Sequence, residues 1–339
     1  MRLQRLALSM FAICSALLGC ERQETTIVPD AAAVAGAPTA VTLQLNWKPE
    51  PQFGGFYAAQ RDGLYTKHNL DVTIQPGGAS VPTVDMLGAG RVQFAIVSGD
   101  EIVRARANGN NIVGLFAVYQ TNPQGVMTRL SRGFNDIGDV FRTPGTLAME
   151  KGLPYSEFLK NKYGFDKLTL VPSPFGDLSL YRTKEDYAMQ CFVTSEPLAA
   201  RKTGIEPKTF LIADAGYNPY TTVLATTNKF AAEQPQVVAD MVQAVRAGWV
   251  NYLADPTSAN QVMGELNPTM DTQTLVDSAA AQVSLIETDE TRTHGLGWMT
   301  LARWQTLVQQ LTELKAIATP VDPATCFIAG SELQPQASR

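Results

Sequence analysis

The stretch VTLQLNWKPEPQFGGFYAAQRDGLYTKHNLDVTIQPGG, Val41 to Gly78, decides the fold. It opens on a short apolar strand, Val41–Leu45, passes through a helix over Gly54–Tyr65, and returns to a strand at Leu70–Ile74. Two strands joined through a helix pair in parallel, because a tight hairpin cannot place parallel strands side by side. The alternation continues with a helix at Val81–Leu87, a strand at Phe94–Val97, a helix at Glu101–Ala107 and a strand at Ile112–Tyr119. A second run follows: strands Leu168–Val171, Cys191–Thr194 and Thr209–Ala213, with helices near Asp177–Tyr181 and from Pro197. This pattern predicts an α/β protein of two tandem units with parallel sheets.

After Tyr217 the character changes. Thr222–Ala225 is one more strand, and helices dominate beyond it. Val237, Val238, Met241, Val242, Val245, Trp249, Tyr252 and Leu253 recur at three- and four-residue steps and form one apolar face. That helix starts near Pro235 and stops before Asp255-Pro256; others fit Ala259–Leu266, Thr272–Leu285 and Leu301–Ile317.

The chain's 339 residues suit two domains of roughly 150 each. With 45% hydrophobic and 17% charged residues it has the composition of a globular protein, which excludes a disordered one. A net charge of −5 argues against a nucleic-acid partner. Two histidines, His68 and His294, and four cysteines without zinc-ligand spacing argue against a metal site, and no cofactor is expected. At the N-terminus, Arg2 and Arg5 precede an apolar run, Leu6–Leu18, shorter than the about 20 residues of a membrane span. Residues 1–19 therefore read as a secretory signal. Its end, Leu17-Leu18-Gly19-Cys20, resembles the lipobox of bacterial lipoproteins, which implies acylation of Cys20, a membrane-lipid anchor, and residues 20–40 as a flexible tether. An exported protein can pair Cys191 with Cys326, though their spacing does not show that they meet.

In open parallel sheets ligands sit beyond the carboxyl ends of the strands. Those ends carry Asn46-Trp47, Ser98-Gly99-Asp100, Pro174-Phe175-Gly176-Asp177 and Ser195-Glu196-Pro197. An aromatic ring, small residues and carboxylates suit a pocket for a small polar or heteroaromatic molecule. Each has a structural alternative. Trp47 can be a core residue, Ser98, Asp100 or Asp177 can cap a helix, and Glu196 can be a first-turn carboxylate favoured by the helix dipole.

Trp47, Pro49, Gly54 or Gly55, Tyr57-Ala58, Gly63-Leu64-Tyr65, Leu70-Asp71-Val72 and Pro76-Gly77-Gly78 form a set that resembles the opening of type II periplasmic solute-binding proteins. The resemblance is to the thiamine pyrimidine-precursor-binding, pyrimidine synthase-like branch. It continues through Gly99-Asp100-Glu101 and Arg104-Ala105-Arg106, and resumes at Phe192–Pro197 and Ala213–Tyr217. It implies a two-lobed fold with hinge strands and a helical C-terminal segment. Lobe one would hold residues 41–124 and 218–319, lobe two residues 125–217, with residues 320–339 as a tail. Trp47 and Tyr57 would be aromatic walls, Glu196 the carboxylate that meets ring N–H groups, and Asn46, Gln52, Ser98, Gly99, Asp100, Asp177 and Tyr217 further ligand-binding residues. Gln52 stands near where the family often has histidine.

The resemblance implies a receptor of an ABC importer that passes a pyrimidine-like heteroaromatic solute to a membrane permease. Receptors of this fold for flavins, sulfonates or nitrate are the alternatives, although oxyanions call for arginine or several N–H donors, and these strand ends supply carboxylates. Fungal pyrimidine synthases share the fold but carry a CCCFC motif. Here the corresponding Met189-Gln190-Cys191-Phe192-Val193 has one cysteine, so no enzymatic activity is expected.

Overall fold

A computed structural model describes residues 37–79 and 81–330. The expected signal, Cys20, nearly all of the tether and residues 331–339 lie outside the described residues. Ten strands are present among the described residues: β1 (Thr39–Gln44), β2 (Leu70–Gln75), β3 (Phe94–Val97), β4 (Ile112–Tyr119), β5 (Gln124–Arg129), β6 (Gly145–Ala148), β7 (Leu168–Val171), β8 (Tyr187–Phe192), β9 (Pro207–Leu211) and β10 (Thr221–Thr227). They form two five-stranded sheets, ordered β2-β1-β3-β10-β4 and β7-β6-β8-β5-β9, one in each lobe.

The sheets are mixed, which corrects the expectation of parallel pairing throughout. β10 runs antiparallel to β3 and β4, and β5 runs antiparallel to β8 and β9. The reason is topological. β4 leads across to β5 through Gln120–Pro123, and β9 leads back to β10 through Ile212–Tyr220. A strand that enters from the other lobe starts at the cleft, where the parallel strands of its new sheet finish, so it must run against them.

Arg303, on the helix Leu301–Glu313, ties the two crossings together. It donates to Gln120 O (2.5 Å), Asn218 O (2.9 Å) and Asn218 Oδ1 (3.0 Å), and its guanidinium lies 4.0 Å from the Tyr220 ring centroid. Asn122 N–H donates to the same Asn218 Oδ1 at 2.8 Å. Both hinge segments thus share one network.

The first lobe is built by close helix packing. Helix Gly54–Arg61 lies on helix Pro235–Ala254, whose Trp249 and Tyr252 are buried. A Cβ on Gly55 would sit 2.3 Å from the Trp249 ring, so glycine is what lets the helices approach. The expected helix Gly54–Tyr65 is broken into Gly54–Arg61 and Leu64–Lys67, because Gly63 turns left-handed at φ 64°. Cys191 and Cys326 are both free and buried, so the disulfide does not form. Cys326 packs instead against the first sheet, where Gly114 N–H donates to Cys326 O and Ile328 N–H to Gly114 O, each at 2.9 Å. This covers part of the edge strand β4.

Candidate functional site

The facing strand ends of the two lobes enclose a cavity of about 760 Å³. On the first lobe, the turn after β1 presents Trp47. Its carbonyl accepts from Gly77 N–H at 2.9 Å, and its indole N–H donates to Glu50 Oε1 at 3.2 Å. Gly77 permits that closeness, since a Cβ there would lie 2.2 Å from Leu45 O. From the second lobe, Phe175 reaches the same space in the loop after β7. The Trp47 and Phe175 ring centroids are 6.4 Å apart, with planes inclined by 31°. Phe175 holds φ at 47° and is 54% exposed, an apolar ring kept out of the core on a backbone that costs roughly 1–3 kcal/mol for a non-glycine residue.

The cavity wall is acidic. Glu50, Asp100, Glu101, Glu150, Glu196 and Asp271 face it, against Lys48, Arg104 and Lys202. Burial, reinforced by Glu196, pushes the Glu50 carboxyl up to about 7, against the opposing effects of the Trp47 N–H and Lys48. Burial also raises Glu196, although its Oε2 accepts the Phe192 N–H at 2.8 Å. Asp100 and Glu101 are raised by burial too, Glu101 further by Asp100. Glu101 Oε2 accepts both the Ser98 N–H (2.8 Å) and the Ser98 hydroxyl (2.9 Å), so Ser98 belongs to a capping box as well as to the cavity wall. Opposite, Gln190 Oε1 accepts from Glu150 N–H and Tyr155 OH, both at 2.7 Å. Asn46 Oδ1 and Tyr217 OH are buried without a protein partner among the described residues.

At the rim, Lys202 from helix Glu196–Lys202 of the second lobe meets Asp271, the N-cap of helix Thr272–Ile286, at 2.6 and 2.7 Å, and also donates to Thr274. Lys202 and Thr274 hold the Asp271 carboxyl well below the usual carboxylate range, so the pair stays charged at neutral pH and is lost only as pH falls far into the acid. The pair is exposed and worth under about 1 kcal/mol to folding. Lys202→Ala is therefore expected to leave the melting temperature nearly unchanged while opening the lobes. Small-angle scattering would show this as a larger radius of gyration, and added salt should move the wild type the same way.

Of the residues singled out in the sequence, Asn46, Trp47, Gln52, Ser98, Asp100, Glu196 and Tyr217 line the cavity. Three do not. Tyr57 faces the core from its helix, 2% exposed, and burial pushes its hydroxyl up to about 12. Gly99 is a packing position: its N–H donates to Tyr220 O at 2.8 Å, and a Cβ would meet Leu307 at 3.2 Å. Asp177 points to solvent and accepts from Ser179 N–H (2.9 Å) and Oγ–H (2.6 Å), the capping role of its alternative reading. Sequence reasoning named Phe175 within its loop without giving it a role, and passed over Glu50, the Glu150–Gln190–Tyr155 group and the Lys202–Asp271 pair. Glu50 had a signal in its place three residues after Trp47. The Lys202–Asp271 contact joins distant parts of the chain and had none.

These two α/β lobes with doubled hinge crossings and a helical C-terminal segment are the type II periplasmic-binding-protein fold. The periplasmic aliphatic sulphonate binding protein SsuA from Escherichia coli has it as well: TM-score 0.66, 11% identity, 89% of this chain and 95% of that one. The profile of the family described as NMT1/THI5 like matches residues 50–259, and the chain belongs to that family. Among its relatives, the riboflavin-binding protein RibY of Chloroflexus aurantiacus is 24% identical over 352 residues, covering 96% of this chain and 97% of its own. The 4-amino-5-hydroxymethyl-2-methylpyrimidine phosphate synthase of Legionella pneumophila is 21% identical over 247 residues, 71% of this chain and 78% of its own.

Proposed function

We propose that the protein is the exported, lipid-anchored solute-binding component of an ABC importer, and that it captures a planar heteroaromatic solute between its lobes and delivers it to a permease. The observation that carries this is the pair of rings, Trp47 and Phe175, one from each lobe, across an acidic cavity. Flat rings gain affinity by stacking against aromatic faces, and carboxyl groups then select among rings by their hydrogen-bond edges. An acidic wall disfavours sulfonate or nitrate. The cavity volume of about 760 Å³ suits a tricyclic flavin with its polyhydroxyl tail better than a single ring. The full-length relative named as riboflavin-binding supports the same choice.

The second reading is a thiamine pyrimidine precursor, favoured by the family and by the synthase-named relatives. A binding role in place of catalysis is supported by the lone Cys191, whose thiol is pushed well up, first by burial and then by Glu196, and so is a poor nucleophile. Titration of the purified soluble part with riboflavin and with 4-amino-5-hydroxymethyl-2-methylpyrimidine, followed by tryptophan fluorescence, tests the reading. Saturable quenching by one of them is expected, and no binding of either removes it. For the anchor, Cys20→Ser is expected to abolish palmitate labelling and release the protein into soluble fractions. Labelling that persists defeats the lipid anchor.

A further inference from the structure

Gln190, near the end of β8, has its side-chain amide held in one orientation. Its Oε1 accepts from the Glu150 N–H and from the Tyr155 hydroxyl, both at 2.7 Å, and its Nε2 donates to Glu150 Oε2 at 3.2 Å. A backbone N–H only donates and a carboxylate oxygen only accepts. Turning the amide over would therefore set donor against donor and acceptor against acceptor. Burial, reinforced by Glu150, raises the Tyr155 hydroxyl well above the usual phenol range, so it keeps its proton for Gln190. The three side chains form one rigid polar frame.

The frame has free valences, and all three residues line the cavity. The second Nε2 hydrogen of Gln190 is a donor without a partner among the described residues, and the Tyr155 oxygen keeps a lone pair. Glu150 Oε1 has no protein donor either, and it is absent from the buried, unpaired side-chain atoms, so it fronts the cavity. The frame also stands beside the Trp47–Phe175 rings. Glu150 follows β6 and Phe175 follows β7, parallel neighbours with Ala148 opposite Val171, while β8 flanks β6 on the other side with Met189 opposite Ala148. The two loops leave one sheet side by side, the ring after the edge strand and the polar frame one and two strands further in.

We propose that Glu150, Gln190 and Tyr155 form a second subsite that takes neighbouring hydroxyls of a polyol chain carried by the ligand ring. This rests on the heteroaromatic-receptor reading above and deepens it: the cavity selects a hydroxylated side chain as well as a flat ring. A hydroxyl both donates and accepts, so adjacent hydroxyls meet a fixed donor and a fixed acceptor at once. A phosphate or carboxylate tail offers acceptors alone and is repelled by Glu150. An ammonium tail offers donors alone and opposes the Gln190 N–H. An alkyl tail strips both polar atoms of water and leaves them unpaired. Because the frame is set before the ligand arrives, little side-chain freedom is lost when it binds.

Calorimetry with riboflavin and with lumiflavin, which has the same tricyclic ring and a methyl group in place of the polyol, tests the subsite. The wild type is expected to bind riboflavin at least about tenfold more tightly. In Glu150→Gln the carboxamide oxygen stays on the Gln190 N–H, and an amide nitrogen takes the place of Oε1, so an acceptor becomes a donor. Riboflavin affinity should fall about tenfold while lumiflavin affinity holds. Gln190→Leu removes the donor and should act in the same way. Equal wild-type affinity for the two flavins overturns the subsite and leaves the rings standing, and so does a loss that both variants show equally for both flavins. If neither flavin binds, the flavin reading fails and ribitol alone decides. Titrated at millimolar concentration against isotope-labelled protein, ribitol must shift the side-chain amide NMR signals that Gln190→Leu removes. No shift overturns the inference.

Discussion

Trp47→Ala is expected to weaken ligand binding by about 2–3 kcal/mol, roughly 30- to 150-fold, through loss of one stacking face. Because the Trp47 indole N–H also orients Glu50, Trp47→Phe separates the two contributions: it keeps the face and loses the donor at 3.2 Å. It should recover most of the affinity. Phe175 allows a cleaner test. Its backbone sits at φ 47°, where glycine carries no penalty, and its ring is 54% exposed, so Phe175→Gly removes the ring without emptying a core. Folding stability should stay level or rise by up to about 1 kcal/mol, while affinity falls by roughly tenfold or more. If instead the two rings are merely packing, Phe175→Gly lowers the melting temperature and leaves calorimetric affinity untouched. That result would remove the clamp.

The parts of the molecule that were readable in the sequence are those whose burial pattern is local. β3, β4 and β7 occupy the spans expected of them, since short apolar β-branched runs bounded by turn residues have few other solutions. β5 (QGVMTR) and β6 (GTLA) passed unread. The burial of β5 comes from β8 and β9 on either side, and β6 is four residues long, so neither shows a usable period. The strand expected at Cys191–Thr194 lies earlier, at Tyr187–Phe192, because the β-branched Val193 and Thr194 belong to the turn that follows.

The site divides the same way. The rule that ligands sit beyond strand ends led to loops that line the cavity, but it cannot say which side chain of a loop turns inward. In the Pro174–Asp177 segment it pointed to Asp177, whereas a left-handed backbone at Phe175 turns the ring to the cavity and leaves the carboxylate on Ser179. Tyr57 lies in the core rather than at the cavity for a related reason: its helix face is decided by packing on the helix Pro235–Ala254, nearly two hundred residues away.

Arg303 should matter more to this fold than any residue of the cavity wall. Its three hydrogen bonds end on the crossings between lobes, at Gln120 O, Asn218 O and Asn218 Oδ1, and its charged plane covers the Tyr220 ring. Hydrogen bonds from a charged donor are worth about 1.5–3 kcal/mol each, and half-buried acceptors left unpaired lose more than the contact alone. Arg303→Met keeps the length and the apolar stem, and is expected to cost about 3 kcal/mol, roughly a 6–12 °C fall in melting temperature. Arg303→Lys should recover little, because one ammonium cannot reach both crossings with the geometry of a planar fork. The functional consequence separates this from ordinary destabilisation. With the three Arg303 bonds gone, the crossings keep the Asn122 N–H to Asn218 Oδ1 bond but are held more loosely, so the empty protein samples more open arrangements, and capture of the same ligand must select against them. Affinity should fall even well below the melting temperature. An Arg303→Met variant with unchanged melting temperature and unchanged affinity would mean that the crossings are held by their strands alone.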